Sequence, residues 1–407
     1  MPDALWPGRH FQCAKKSAKP LFRAKLMSIR TILGSTVIEY GWGSYMHLFE
    51  NMHGWCRNRL LIIALLPTIT TSCLVATKST KDSNPHLQDN ASNNLGGCSA
   101  QFGVYFSDLD GNGISCVVSD ENRELNHARF SPDGKSVIYT RYNKFSDNGF
   151  AQEKFGYQNT EPMIAGVLSS DPKVVLPAVA NEVNANAYWT PDGKKILIFH
   201  SDQPSTPFQI VEIDIGTGDR QVVGLPDKKW AADPHQIGTE IVFVRLDSTD
   251  NISKVFVFDR NSNQLKQLTN YNTSGDSSNF AFPFGDYDPK LSPDGKQVAF
   301  MRHMNDGKWQ VFVLDRTSLI ETNISQGQVF EAMPEWSPDG TQLVFWTDTG
   351  LYRFFKSNDS FDREKIPLPT GYFYSMPAFA TLPSGKLGVV FSACKLSGGS
   401  DFSPCFP

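Results

Sequence analysis

The pattern of apolar and polar positions changes character near residue 100. Beyond it, apolar side chains alternate with polar ones in short runs such as Lys254-Val255-Phe256-Val257-Phe258-Asp259 and Gln310-Val311-Phe312-Val313-Leu314-Asp315. That two-residue period is the mark of half-buried strands, and helix-periodic stretches are scarce there. Turn chemistry punctuates the runs. After Glu331, an extended segment ends at Trp336, Ser337-Pro338-Asp339-Gly340 reverses the chain, and Leu343-Val344-Phe345 heads back. Proline presets the turn's φ, aspartate bonds its own backbone, and glycine accepts positive φ. The pattern predicts an all-β protein built from hairpins.

Near-copies of this hairpin recur at 128–140, 187–199 and 289–300, with decayed copies at 233–244 and 376–391. Their turn glycines, Gly134, Gly193, Gly238, Gly295, Gly340 and Gly385, lie 59, 45, 57, 45 and 45 residues apart. A base period near 45 with two insertions matches a propeller blade of four strands. A second hairpin follows each turn, except that the sixth copy stands at the start, in Gly103–Asp108 and Ile114–Val118. With strands lettered A to D outward from the axis, the expected fold is a six-bladed β-propeller. Its last blade takes strands C and D from the N-terminus and A and B from the C-terminus, which leaves no open edge.

The Ser-Pro-Asp-Gly hairpins, each followed by an apolar strand and a Val-Phe-Val-x-Asp strand, resemble the propeller repeats of the TolB family over residues 100–395. The α/β domain that precedes the propeller in that family has no counterpart in the expected organisation. The resemblance implies a non-enzymatic module that binds a protein or peptide in the bacterial envelope.

The first 72 residues follow other rules. Arg57 and Arg59 precede the apolar run 60–66, then Thr70-Thr71-Ser72-Cys73, the layout of an export signal. Seven apolar residues are too few to span a bilayer, which takes about twenty. Thr-Thr-Ser-Cys resembles the lipobox of bacterial lipoproteins, which implies lipidation of Cys73. Leu74, in place of the aspartate that marks inner-membrane retention, implies an outer-membrane anchor. The expected organisation is an N-terminal extension (1–51), a signal peptide (52–72), a polar tether (73–98) too poor in apolar residues to fold, and the propeller (99–407).

Loss of residues 1–72 would reduce 38 Lys and Arg to 29, and 42 Asp and Glu to 39, a formal charge near −10. An acidic surface without a basic stripe argues against nucleic acid as partner; a monomer is expected. In an oxidising compartment Cys98, Cys116, Cys394 and Cys405 are disulfide candidates. Pairing across the ring closure (Cys98–Cys394, Cys116–Cys405) is preferred, and local pairing (Cys98–Cys116, Cys394–Cys405) and free thiols remain open. Asp108-Leu109-Asp110-Gly111-Asn112-Gly113 has the look of a calcium loop, but Ser119 stands where the twelfth-position glutamate belongs, so a hairpin turn is the better reading.

Loops before strand A and after strand B gather polar residues at one mouth of the axial channel: Glu124, His127, Glu182, His200, His235, Asp286, Asp288, His303 and Glu331. They suit a charged peptide end or a cation, calcium before zinc because oxygen ligands dominate; no cofactor is otherwise expected. The longest insertion, 141–161, carries Tyr142, Phe145, Phe150, Phe155 and Tyr157 as a partner-binding loop; a second, 270–286, adds four aromatics. No Gly-x-Ser-x-Gly, His-Glu-x-x-His, P-loop or dinucleotide motif occurs. The alternative to a binding module is a metal-dependent polysaccharide lyase, which needs three of His127, His200, His235 and His303 on one metal.

Overall fold

The computed structural model describes residues 95–143, 159–169, 171–203, 207–227, 229–246, 251–273, 282–325, 330–357, 360–397 and Cys405. The extension, the signal segment and most of the tether lie outside these, as do Phe145, Phe150, Phe155 and Tyr157. Among the described residues, strands dominate, and no helix is long and apolar enough to cross a membrane.

The strands follow the hairpin pattern. The chain opens with β1 (Phe102–Asp108) and β2 (Ser115–Asp120). The first sheet holds β3 (Leu125–Phe130), β4 (Ser136–Tyr142), β5 (Thr160–Gly166) and β6 (Lys173–Val174). The second holds β7 (Val183–Trp189), β8 (Lys195–Ser201), β9 (Gln209–Asp214) and β10 (Arg220–Val222). The third holds β11 (Ala232–Ile237), β12 (Glu240–Leu246), β13 (Ser253–Asp259) and β14 (Gln264–Gln267). The fourth holds β15 (Gly285–Leu291), β16 (Gln297–His303), β17 (Trp309–Asp315) and β18 (Glu321–Asn323). The fifth holds β19 (Glu331–Trp336), β20 (Gln342–Thr347), β21 (Gly350–Ser357) and β22 (Ser360–Lys365), and β23 (Tyr372–Thr381) and β24 (Leu387–Lys395) end the chain.

Within each sheet the neighbours pair antiparallel. One parallel bridge, Ser253 to Gly285, joins the third and fourth sheets. The final sheet runs β2-β1-β24-β23, with β1 paired to β24 from Phe102↔Cys394 to Asp108↔Gly388. The innermost strands β3, β7, β11, β15, β19 and β23 each touch the next, and β23 touches β3.

The turn chemistry explains the repeat. In the tightest copies the Ser131 hydroxyl donates to Asp133 Oδ1 at 2.6 Å and accepts the Ser136 N–H at 3.0 Å, while Asp133 accepts the Lys135 N–H. Thr190/Asp192, Ser292/Asp294 and Ser337/Asp339 repeat these bonds. Between sheets lies the core: Val104, Phe199, Phe243, Phe300, Phe345 and Phe391 are at most 2% exposed.

Two expectations need correction. The tether was placed as far as residue 98, yet Leu95 is buried, and its N–H donates to the Tyr372 hydroxyl at 3.0 Å; packed structure starts at a short 3-10 turn, Leu95–Gly97. The disulfides are Cys98–Cys116 and Cys394–Cys405, the local pairing, not the preferred one across the closure. The reason lies in the path of the chain before β1. The 3-10 turn at its start packs along β2: a Cβ on Gly96 would stand 3.0 Å from the Cys116 nitrogen. Opposite Cys394 across the seam stands Phe102, so the C-terminal Cys405 returns to it instead.

Candidate functional site

Each innermost strand contains a bulge. Pairing slips between Asn126 and Arg129, Ala185 and Tyr188, Ala232 and His235, Tyr287 and Lys290, Ala332 and Glu335, and Ser375 and Ala378. Inside each slip one residue takes the left-handed conformation: His127, Asn186, Asp233, Asp288, Met333 and Met376, with φ of 51–57°. Asn, Asp and His are the side chains most often found in this region; Met is not. Such conformations persist where surrounding structure enforces them, and they cluster at functional sites. An alanine or proline follows in every copy, and then comes Arg129, Tyr188, His235, Lys290, Glu335 or Ala378.

The polar members of these two tiers bond to one another around the axis. Arg129 Nε donates to the Tyr188 hydroxyl at 2.8 Å and lies 3.2 Å from Glu335 Oε2, and the Tyr188 hydroxyl donates to Glu335. Lys290 pairs with Asp288, and its ammonium sits 4.8 Å from the centre of the Tyr188 ring. Asn186 Nδ2 donates to Asp233 Oδ1 at 2.7 Å, and the Asp288 N–H points to Asp233 Oδ2 at 3.4 Å. The Leu291 N–H donates to His235 Nδ1 at 3.0 Å. The network therefore joins sheets on opposite sides of the ring.

Burial sets its protonation. It pushes His127 and His235 down to about 3, helped by the Arg129 and Lys290 cations, so both rings are neutral at pH 7. Asp233 is pushed up to about 6 by burial and then by the neighbouring Asp288 charge. Burial would raise Asp288 as well, but Lys290 and Arg129 outweigh it and hold that carboxyl below the usual range. Tyr188 is raised by burial and stays protonated.

Of the nine mouth residues read from sequence, the structure brings His127, His235 and Asp288 into this network. The other six are engaged elsewhere. Asp286 is clamped by Arg302 through Nε at 2.5 Å and Nη2 at 3.1 Å, with Glu321 on the same guanidinium. Glu331 pairs with Arg363 at 2.5 Å. His200 bonds Asn184 and Asp202; His303 bonds the carbonyls of Phe282 and Pro283 and stacks on Trp309 at 4.5 Å. Glu124 and Glu182 accept from Asn126 and Asn184. Among the described residues no three His, Cys, Asp or Glu are placed to hold a metal.

Tyr142, the described aromatic of the first insertion, is buried at the end of β4. In the second insertion Tyr271 lies under Arg302, Phe282 packs on Tyr287 and Trp309, and Phe284 packs on His303. Asp108 accepts the N–H groups of Asp110 and Asn112, so its loop is a self-capped turn.

Arg129, Tyr188, Lys290 and Glu335 escaped the sequence reading. A signal was present: each stands two residues before Ser/Thr-Pro-Asp-Gly, where an innermost strand would otherwise be apolar. Hairpin logic placed polar residues only in the loops and so passed over them.

No family model matches the chain. A TolB structure from Agrobacterium tumefaciens aligns over 72% of this chain and 99% of its own, with 15% identity and a TM-score of 0.51. TolB from Acinetobacter baumannii aligns over 72% of this chain and 63% of its own, with 15% identity and a TM-score of 0.46, so the chain spans 63% of that protein. An oligogalacturonate lyase in complex with manganese aligns over 70% of this chain and 80% of its own, with 12% identity and a TM-score of 0.43. The fold is a TolB-like β-propeller.

Proposed function

We propose that this protein is an exported propeller, lipid-anchored in the outer membrane through Cys73, that binds a protein or peptide of the bacterial envelope without catalysis. Residues 52–72 serve as signal peptide and the polar segment up to residue 94 as tether; 1–51 is an extension absent from the mature protein. The observation that carries the reading is the ring of bulges, in which one backbone device is repeated six times with different side chains. A constant frame with variable tips is suited to recognition. The lyase reading needs three histidines in common, and His200, His235 and His303 are each committed to a different partner.

The test is affinity capture from detergent-solubilised envelopes with the full, lipidated chain as bait. One or more envelope proteins should be retained, fewer by a bait lacking residues 144–158, and Cys73→Ser should release the protein from the membrane fraction. Release of unsaturated sugars from a polyuronate in the presence of manganese, with nothing captured, would replace this reading with the enzyme.

A further inference from the structure

The six bulge residues sort into arcs. Asp233 and Asp288 stand on adjacent sheets, Met333 and Met376 on the next two, and His127 and Asn186 complete the ring. Below them the Tyr188–Glu335–Arg129 bonds cross the axis and form a floor. Asp233 and Met376 are only half-buried, and their strands are three sheets apart in a ring of six, so they face each other. Behind the methionines, Tyr287, Trp309, Phe330 and Trp346 make an aromatic wall.

The charges do not balance. With both histidines neutral, Arg129 and Lys290 face three carboxylates, Asp233, Asp288 and Glu335. Asp288 is 2% exposed and its Oδ2 accepts no hydrogen bond among the described residues, although a buried carboxylate oxygen ordinarily has a partner. Burial, and then the adjoining Asp288 charge, hold the proton on Asp233 up to about pH 6. One added positive charge would satisfy both acids.

We propose that this cup takes a single primary ammonium attached to an apolar body, supplied by a peptide: the ammonium bonds the half-buried Asp233, whose carboxyl adjoins Asp288, and the body lies along Met376. The proposal rests on the peptide-binding reading above and names the chemistry its partner must carry. An ammonium donates three hydrogen bonds, and thioethers adapt to varied apolar shapes. The net negative charge of the chain, −4 at full length, favours approach of a cationic segment.

Titration calorimetry with the full chain at neutral pH and low salt tests it, using three peptides: Phe-Leu-Phe amide with a free amino terminus, its N-acetyl form, and N-acetyl-Lys-Leu-Phe amide. Binding of the first alone assigns the cup to an amino terminus; binding of the third as well assigns it to lysine too. The acetylated peptide without lysine should bind at least about tenfold more weakly, and Asp233→Asn, nearly isosteric, should cost the amines about tenfold. A melting temperature for Asp233→Asn no lower than wild type shows that the fold is kept; should it fall, Met376→Lys, which places a cation in the cup, must abolish amine binding. Equal binding of the acetylated peptide, amine binding unaffected by Asp233→Asn, no binding of any of the three, or calcium chloride binding with the same Asp233 dependence and displacing the amines would overturn it. Envelope capture that succeeds beside any of these results leaves the binding-module reading standing and removes only this one.

Discussion

At the scale of single residues, the axial network couples charges that burial makes expensive. Glu335 accepts from Tyr188 and neutralises Arg129. Glu335→Ala leaves a guanidinium buried without its counter-charge and should destabilise by about 3–5 kcal/mol, whereas a well-packed apolar replacement of the whole group would cost less. Denaturant melts of Glu335→Ala against Glu335→Gln, which keeps an acceptor for Tyr188, read the difference. The histidines give a pH dependence. Their folded pKa near 3 lies below the ordinary 6.5, so the stability of the neutral buried form is complete above pH 6.5. It is lost as pH falls towards 3, at up to about 1.4 kcal/mol per pH unit for each ring. Asp233 acts in the opposite sense, since its raised pKa makes it destabilising above pH 6 and relieves that cost between 6 and 3.8. Two histidines outweigh one aspartate, so the melting temperature should fall between pH 6.5 and 4. Asp233→Asn should raise stability at pH 7 and steepen that fall; a wild-type melting temperature that rises on acidification would contradict the assignment.

At the scale of elements, two devices recur: the Ser/Thr-Pro-Asp-Gly turn and the bulge. The turn is local chemistry and was legible, because every bond it makes lies within a few residues. The bulge was not, because His127, Asp288 and Met333 have no common side-chain signature; only the Ala or Pro that follows and the spacing to the turn betray it. A third device joins sheets. Gly285 has φ of 126°, and a Cβ there would lie 2.2 Å from the Ser253 carbonyl oxygen. Gly285→Ala should therefore cost about 2–4 kcal/mol, above the ~1–2 kcal/mol that a left-handed conformation alone costs a residue with a Cβ, as measured by urea unfolding. Gly218→Ala, with φ of 78° but a Cβ that would meet nothing within 4 Å, reads that backbone cost alone and serves as the comparison. The disulfides also belong to this scale. Each ties one terminal segment to its own hairpin, so replacing either pair with serines should lower stability by about 2–4 kcal/mol while the β1–β24 pairing persists, measurable as retained amide protection in Val104–Ser107.

At the scale of the molecule, the ring meets itself in one sheet whose two halves come from opposite ends of the chain, held by seven paired positions between β1 and β24 and, among the described residues, by no covalent bond across the seam. Deletion of residues 1–120 should expose the nine-residue edge of β24, Leu387–Lys395, and convert soluble protein to aggregate, as an uncovered apolar edge does. Light scattering would show it; a well-behaved monomer after the deletion would mean that the remaining sheets close without the N-terminal hairpin. The same long-range pairing explains why the candidate site was only partly legible. His127, His235 and Asp288 were chosen as polar residues near hairpin ends, yet Asp286, two residues from Asp288, serves Arg302 in the sheet interior.

By itself the sequence determined the strands, their turns, the period and the circular order of the sheets, because these follow from alternation, from turn stereochemistry and from spacing, all of them local. Only the tertiary structure decided which cysteines pair, which acids meet a cation and which polar groups share the axis. Those outcomes depend on which side of a strand the chain passes and on contacts between residues far apart in sequence, such as Arg129 and Glu335, 206 positions apart, whose energies arise only once the ring has assembled and water has left its centre.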